Sequence, residues 1–268
     1  MSYLKAAVFD WAGTIIDFGS RAPMEAFVEV FQRFGVTLTV AEARGPMGLP
    51  KLDHIRALGE LDSVRSQWRA AKGSDFDEAA AQAIYEVFVP LNAEVVSDFA
   101  DLVPGAAQTV SALRARGLKI GSTTGYTRDI MERLLPLAAA QGYAPDNLVC
   151  AGDLWAGRPT PAMMWKCFLD LQIDDPATVV KVDDTGVGIL EGKRAGAWTV
   201  GVSLSGNEVG LSPEDLAALP DRERATLNTR AREKLLDAGA DFVIDSVADL
   251  PALLPEIESV LLRRRAVA

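Results

Sequence analysis

Six short apolar runs, most of them broken off by polar or acidic residues, punctuate this chain of 268 residues. The first is Leu4-Lys5-Ala6-Ala7-Val8-Phe9, which stops at Asp10-Trp11-Ala12-Gly13-Thr14 and so puts a carboxylate at the carboxyl end of a buried strand. The pattern recurs at Leu118-Lys119-Ile120-Gly121 before Ser122-Thr123-Thr124-Gly125, at Asn147-Leu148-Val149-Cys150 before Gly152-Asp153, and at Val179-Val180-Lys181-Val182 before Asp183-Asp184. Further copies are Trp198-Thr199-Val200-Gly201-Val202 and, more weakly, Asp241-Phe242-Val243-Ile244. Helical patterns lie between them at 106–116, 128–141, 161–171 and 188–195, with Gly117, Gly142 and Gly196 as stops. Alternating short strands and helices predict an α/β fold, a doubly wound, Rossmann-like parallel sheet covered on both faces. Such sheets bind ligands beyond the carboxyl ends of their strands, where these polar residues fall.

From 20 to 99 the strand pattern vanishes and helical periodicity takes over, at 23–34, 40–44, 50–58, 62–71 and 77–96. An all-helical insertion of about eighty residues after the first strand is too small to be very stable alone. It is expected to rest on the sheet's active edge as a cap, with hinges near Gly19 and at 101–104. The expected domains are a catalytic core at 1–19 and 100–268 and a helical cap at 20–99.

With 27 Lys and Arg against 37 Asp and Glu, the net charge is −10, and the only basic run is Arg263-Arg264-Arg265. Binding a phosphate backbone needs a cationic footprint, so neither nucleic acid nor an anionic membrane is expected as a partner. The stretch from Met1 to Val8 has no cationic start, sustained apolar segment or small-residue cleavage site, so no secretory signal is expected. The longest apolar run, 134–140, contains Pro136 and falls well below the roughly 18–20 residues of a membrane span; a cytoplasmic protein is expected. Cys150 and Cys167 form neither a disulfide framework nor a metal spacing and are read as reduced core thiols. The single histidine, His54, excludes a two-histidine metal site and a serine hydrolase whose histidine comes last in the chain.

Four kinds of group converge at the strand ends: the Asp10 carboxylate, the hydroxyl and N–H groups of Thr124-Gly125, the cation of Gly157-Arg158-Pro159-Thr160-Pro161, and the acidic pair Asp183-Asp184. Their content and order resemble the haloacid dehalogenase-like superfamily of phosphotransferases over essentially the whole chain. Moving a phosphoryl group requires an in-line nucleophile and neutralisation of its oxygens. Asp10 is then the nucleophile, forming an aspartyl-phosphate. Mg²⁺, which prefers octahedral oxygen ligation, is expected at Asp10, the carbonyl of Ala12 and Asp184. Thr124 and the N–H of Gly125 hold phosphoryl oxygens, Arg158 supplies a non-titrating cation, and Asp183 is read as a supporting residue.

Most phosphatases of that superfamily carry a second aspartate two positions after the nucleophile, where this chain has Ala12. An ester hydrolase would thereby lose a general acid worth about 10²–10⁴ in rate, so the leaving group needs no proton from that site. A carbon leaving group meets the condition if its electrons have a sink. An aldehyde two carbons from phosphorus can condense with a lysine, and the protonated imine accepts the electrons of the breaking C–P bond. The insertion holds such a lysine in Met47-Gly48-Leu49-Pro50-Lys51-Leu52-Asp53-His54-Ile55. Pro50 suits a first helical position, and Lys51 and His54 then share one helix face. At a helix N-terminus, near other cations and partly desolvated, Lys51 is expected to have a lowered pKa.

With Ser122 to Tyr126 and Val182-Asp183-Asp184-Thr185, these motifs resemble the phosphonatase, or phosphonoacetaldehyde hydrolase, family. The resemblance implies Mg²⁺-dependent cleavage of phosphonoacetaldehyde to acetaldehyde and phosphate in the degradation of 2-aminoethylphosphonate, with Lys51 as the Schiff-base residue. It also implies a homodimer contacting through its caps. His54 either orients or deprotonates groups around the imine, or is a hydrogen-bonded residue of the cap. Tyr126 and Ser20 are candidate substrate neighbours, and Trp11 is read as packing. Gly186-Val187-Gly188 is not a dinucleotide fingerprint, because the carboxylates before it repel pyrophosphate. Two other functions fit the fold: a phosphomonoesterase acting on a small phosphorylated metabolite, and a non-catalytic binding protein. Intact Asp10, Thr124, Arg158 and Asp184 speak against the latter. The segment 205–237 is expected to be a loop and surface helices without an assigned role.

Overall fold

The computed structural model describes residues 3–267, with side chains through Arg263; Met1, Ser2, Ala268 and the side chains of residues 264–267 lie outside the described residues. The elements run β1 (Ala6–Phe9), α1 (Ala22–Arg33), α2 (Val40–Arg44), α3 (Lys51–Gly59), α4 (Asp62–Lys72), α5 (Glu78–Val95), α6 (Ala106–Ala115), β2 (Lys119–Thr127), α7 (Arg128–Ala140) and β3 (Val149–Ala151). They continue with α8 (Ala162–Asp170), β4 (Val179–Asp183), α9 (Gly186–Ala195), β5 (Trp198–Val202), α10 (Pro213–Ala218), α11 (Asp221–Asp237), β6 (Phe242–Ile244) and α12 (Leu250–Val267).

The strands form one parallel sheet in the order β3-β2-β1-β4-β5-β6, the doubly wound α/β fold expected. Every residue of β1 is buried, because each face is covered. Ala7 and Phe9 join a cluster with α6, α7 and α12, whereas Ala6 and Val8 pack on Met163, Met164, Cys167 and Phe168 of α8. The chain leaves β1 outward through β2 and β3 and then returns to the other side of β1 for β4. That reversal opens a crevice at the carboxyl ends of β1 and β4.

Between β1 and α6 the structure places α1–α5 and no strand among the described residues. Their apolar faces form a separate cluster around Phe27, Phe31, Ile55, Leu58, Ile84 and Phe88. The two chain crossings between this helical insert and the sheet lie side by side. The Asp17 N–H donates to the Asp101 carbonyl at 3.1 Å and the Val103 N–H to the Ile15 carbonyl at 2.8 Å.

Two local expectations need correction. The strand placed before Ser122 continues to Thr127, because the polar residues that suggest a loop find buried partners: Ser122 Oγ donates to the Phe9 carbonyl, and Thr123 Oγ1 to Glu191. Pro50 caps α3 rather than starting it, which leaves Lys51 as its first residue. The 205–237 segment is a loop followed by α10 and α11, as expected.

Candidate active site

The floor of the site is built from the ends of β1 and β4. The Asp10 N–H donates to the Val182 carbonyl at 3.0 Å, which holds the two strand ends side by side. Arg158 is buried between them. Its Nη1 lies 2.8 Å from Asp10 Oδ1, its Nη2 3.4 Å from Asp183 Oδ2, and its Nε 3.0 Å from Glu191 Oε2. Lys181 shares one side of β4 with Asp183, two residues on. Its Nζ lies 3.0 Å from Asp183 and 3.3 Å from Glu191 and donates to Thr123 Oγ1 at 2.7 Å. Each buried cation therefore has several partners, which offsets the cost of removing it from water.

The carboxyl groups differ sharply. Burial opposes ionisation of Asp183, but Lys181 and Arg158 outweigh it and hold this carboxyl below its ordinary range. Burial and then Asp183 push Asp10 up to about 6 against the pull of Arg158. Asp184, raised well above the usual range by burial, Asp10 and Asp183, forms no ion pair among the described residues. Its Oδ2 accepts the Asn207 N–H at 2.8 Å and its Oδ1 the Thr14 hydroxyl at 3.3 Å. Gly13 admits it: a Cβ there would stand 2.0 Å from Asp184 Oδ2, in a backbone with φ +81°.

Asp10, Asp183 and Asp184 each offer an oxygen within 4.8 Å of the others. With Glu191 they make four buried carboxylates facing two buried cations, Arg158 and Lys181. An all-oxygen, net-negative cluster of this kind fits a hard divalent cation.

Above the floor is a small cavity, lined among others by Asp10, Ala12, Ser20, Met47, Lys51, Thr124, Gly125, Tyr126 and Arg158. Lys51 enters from the insert. Its Nζ stands 5.1 Å from the Tyr126 ring centre and 5.6 Å from that of Phe27. Burial lowers its pKa from 10.5 to about 8, opposed by Asp10 and reinforced by Arg158. Burial also keeps Tyr126 protonated, its hydroxyl raised well above its ordinary value.

His54 lies apart from the cavity wall. Its ring stacks on Phe27 at 3.8 Å, and its Nε2 is 2.9 Å from the Ala43 carbonyl. Burial and then Lys51 hold it neutral, so Nε2–H donates and Nδ1 is left as an acceptor. Trp11 is fully buried, with its indole N–H on Ser122 Oγ and its ring against Tyr143. Both cysteine thiols are buried and raised to about 12, chemically quiet.

Thr123, Lys181, Glu191 and Asn207 belong to the site as supports that sequence reading passed over. A lysine within the apolar run Val179-Val180-Lys181-Val182 was the available signal, since a buried charge requires a partner. Asn207 acts through its N–H, which no side-chain pattern reveals.

A family model for haloacid dehalogenase-like hydrolases matches residues 4–196. The chain belongs to this family. Among curated relatives of this haloacid dehalogenase-like hydrolase, the phosphonoacetaldehyde hydrolases of Paraburkholderia phytofirmans and Klebsiella pneumoniae are each 49% identical over 263 residues. The alignments cover 98% of this chain and 98% of the relative in the first case, and 97% and 98% in the second. The crystal structure of a phosphonoacetaldehyde hydrolase-like protein from Oleispira antarctica superposes with a TM-score of 0.96 at 43% identity, covering 98% of this chain and 95% of that one. The haloacid dehalogenase-like chain is thus an enzyme, a hydrolase.

Proposed function

We propose that the enzyme hydrolyses the C–P bond of phosphonoacetaldehyde to acetaldehyde and phosphate, in 2-aminoethylphosphonate degradation. The observation that carries this reading is one cavity holding a desolvated Lys51 amine, the Asp10 carboxylate and, at the position of the missing general acid, Ala12. The names of the curated relatives support it. Residues 20–99 act as a cap over a core of 1–19 and 100–268, and a homodimer through the caps follows from the family resemblance alone. No described helix is long and apolar enough to cross a membrane, in keeping with work in the cytoplasm.

The neutral Lys51 amine adds to the aldehyde carbon, and water leaves with uptake of one proton from solvent, giving a protonated imine. Asp10 attacks phosphorus in line; the C–P bond breaks and its electron pair moves into the imine, leaving an enamine on Lys51 and an aspartyl-phosphate on Asp10. Protonation of the enamine carbon and addition of water release acetaldehyde and restore the amine. A second water hydrolyses the aspartyl-phosphate. Imine formation returns one water, so the net consumption is one. Thr124, the Gly125 N–H and Arg158 hold the phosphoryl oxygens. Asp10, the Ala12 carbonyl and Asp184 would hold Mg²⁺, which when bound neutralises charge on the transferring group. Lys51, pressed between two aromatic rings, is orientated by packing rather than by an ion pair.

Two variants test the reading. Asp10→Asn is expected to have no measurable turnover. Lys51→Arg is expected to lose phosphonoacetaldehyde hydrolysis while still binding Mg²⁺, because a guanidinium stays charged and forms no imine. A steady-state assay showing more than about a tenth of wild-type activity in Lys51→Arg contradicts the mechanism.

A further inference from the structure

Arg44 closes α2 in the helical insert, and the chemistry above makes no use of it. Its guanidinium leaves the insert and enters the loop after β5. Nη1 donates to the Gly19 carbonyl at 2.9 Å, the Asn207 carbonyl at 3.2 Å and Asn207 Oδ1 at 3.1 Å; Nη2 donates to the Gly210 carbonyl at 2.9 Å. Gly210 is shaped for this contact, since a Cβ there would lie 2.3 Å from the guanidinium carbon. The same loop reaches the crossing into the insert, where the Gly19 N–H donates to the Ser205 carbonyl at 2.8 Å.

Asn207, which the guanidinium grips by carbonyl and side chain, is the residue whose N–H holds Asp184 Oδ2 at 2.8 Å. Asp184 needs that bond, because no cation among the described residues pairs with it. An unbroken chain of short contacts therefore runs from the insert through one loop to one carboxylate of the metal-type cluster.

We propose that Arg44 is a positioning residue that couples seating of the insert to the metal site: seated, it fixes Asn207, whose N–H orients the Asp184 carboxylate. With the insert lifted, the loop loses its clasp and Asp184 its fixed orientation. Metal affinity and closure then rise together, so that phosphoryl transfer begins only in the closed cavity. This rests on the proposed reading of Asp184 as a Mg²⁺ ligand.

The test compares wild type, Arg44→Met and Arg44→Lys in the full chain, with Mg²⁺ affinity measured by titration calorimetry and amide exchange of 205–210 measured without metal. Loss of a group that orients a metal ligand weakens affinity by about 10–100-fold, which is the loss expected for Arg44→Met. Exchange at the Asn207 amide is expected to quicken in that variant. Arg44→Lys keeps the charge but not the fork, so it is expected to fall close to Arg44→Met. Should Arg44→Met fail to fold, Gly210→Ala displaces the guanidinium by its added Cβ and is expected to show the same two changes. A folded variant with wild-type Mg²⁺ affinity and wild-type exchange at Asn207 overturns the proposal. Failure of the wild type to bind Mg²⁺ would instead overturn the metal reading beneath it, while the exchange data still report whether Arg44 holds the loop.

Discussion

The floor and the roof of this cavity handle buried charge in opposite ways. In the floor, Arg158 and Lys181 sit among Asp10, Asp183 and Glu191, each with more than one ion-pair partner. In the roof, Lys51 has aromatic neighbours, forms no ion pair among the described residues, and its pKa is lowered to about 8. Arg158, with several fixed carboxylate partners, stays charged, which suits neutralising a phosphoryl group. A cation surrounded by rings gives up its proton easily, which suits attack on a carbonyl. The enzyme thus holds two incompatible environments around one cavity by drawing them from two differently packed regions of the chain.

The largest effect that would break this contrast is on stability. Lys181→Met leaves Asp183 and Glu191 with Arg158 as the one cation they still share, and removing one member of a buried ion pair destabilises by about 3–5 kcal/mol. Lys51→Met removes an unpaired buried charge and is expected to cost nothing at pH 7, or to stabilise. The sign follows from a folded pKa lying below the unfolded value. The burial cost of Lys51 is present below pH 8, where the amine is charged in both states, and fades as the pH rises from about 8 to 10.5. Urea unfolding of both variants at pH 7 and pH 10 reads the difference; equal losses would erase the distinction between floor and roof.

A second effect concerns rate. Imine formation needs the neutral amine, and lowering the pKa from 10.5 to about 8 raises the free-amine fraction at pH 7 by roughly 300-fold. Turnover of phosphonoacetaldehyde is expected to climb about tenfold per pH unit below 8 and to level off above it. A profile flat from pH 6 to 9 contradicts a titrating Lys51. The smallest effect expected is at the seam between the two regions. Ala12→Asp places a further carboxylate against the substrate and is expected to lower C–P cleavage by about tenfold while phosphate-ester turnover rises. Unchanged rates on both substrates would show that position 12 does not separate the two chemistries.

Much of this was legible in the amino-acid sequence, for a physical reason. Asp10 and Asp183-Asp184 stand out because an apolar strand ends abruptly in a carboxylate, a local contrast visible without tertiary information. Lys51 shows itself through Pro50 and a helix start. Residues whose meaning depends on distant partners stayed hidden. Ser122 and Thr123 read as loop because Phe9 and Glu191, which satisfy their hydroxyls, are remote in sequence. Asn207 is silent because its contribution is a backbone N–H. His54 shares a helix with Lys51, yet its ring turns to the Ala43 carbonyl and Phe27, away from the cavity wall. Position along a helix does not by itself determine which neighbour a ring will choose.

The central claim is that Lys51 forms an imine with the substrate. Incubation with phosphonoacetaldehyde, Mg²⁺ and sodium borohydride, followed by mass spectrometry and peptide mapping, tests it most directly. A two-carbon adduct on the peptide containing Lys51, absent from Lys51→Arg, is the result predicted. No adduct, with phosphate released from ordinary esters, would contradict the account and make the enzyme a phosphomonoesterase.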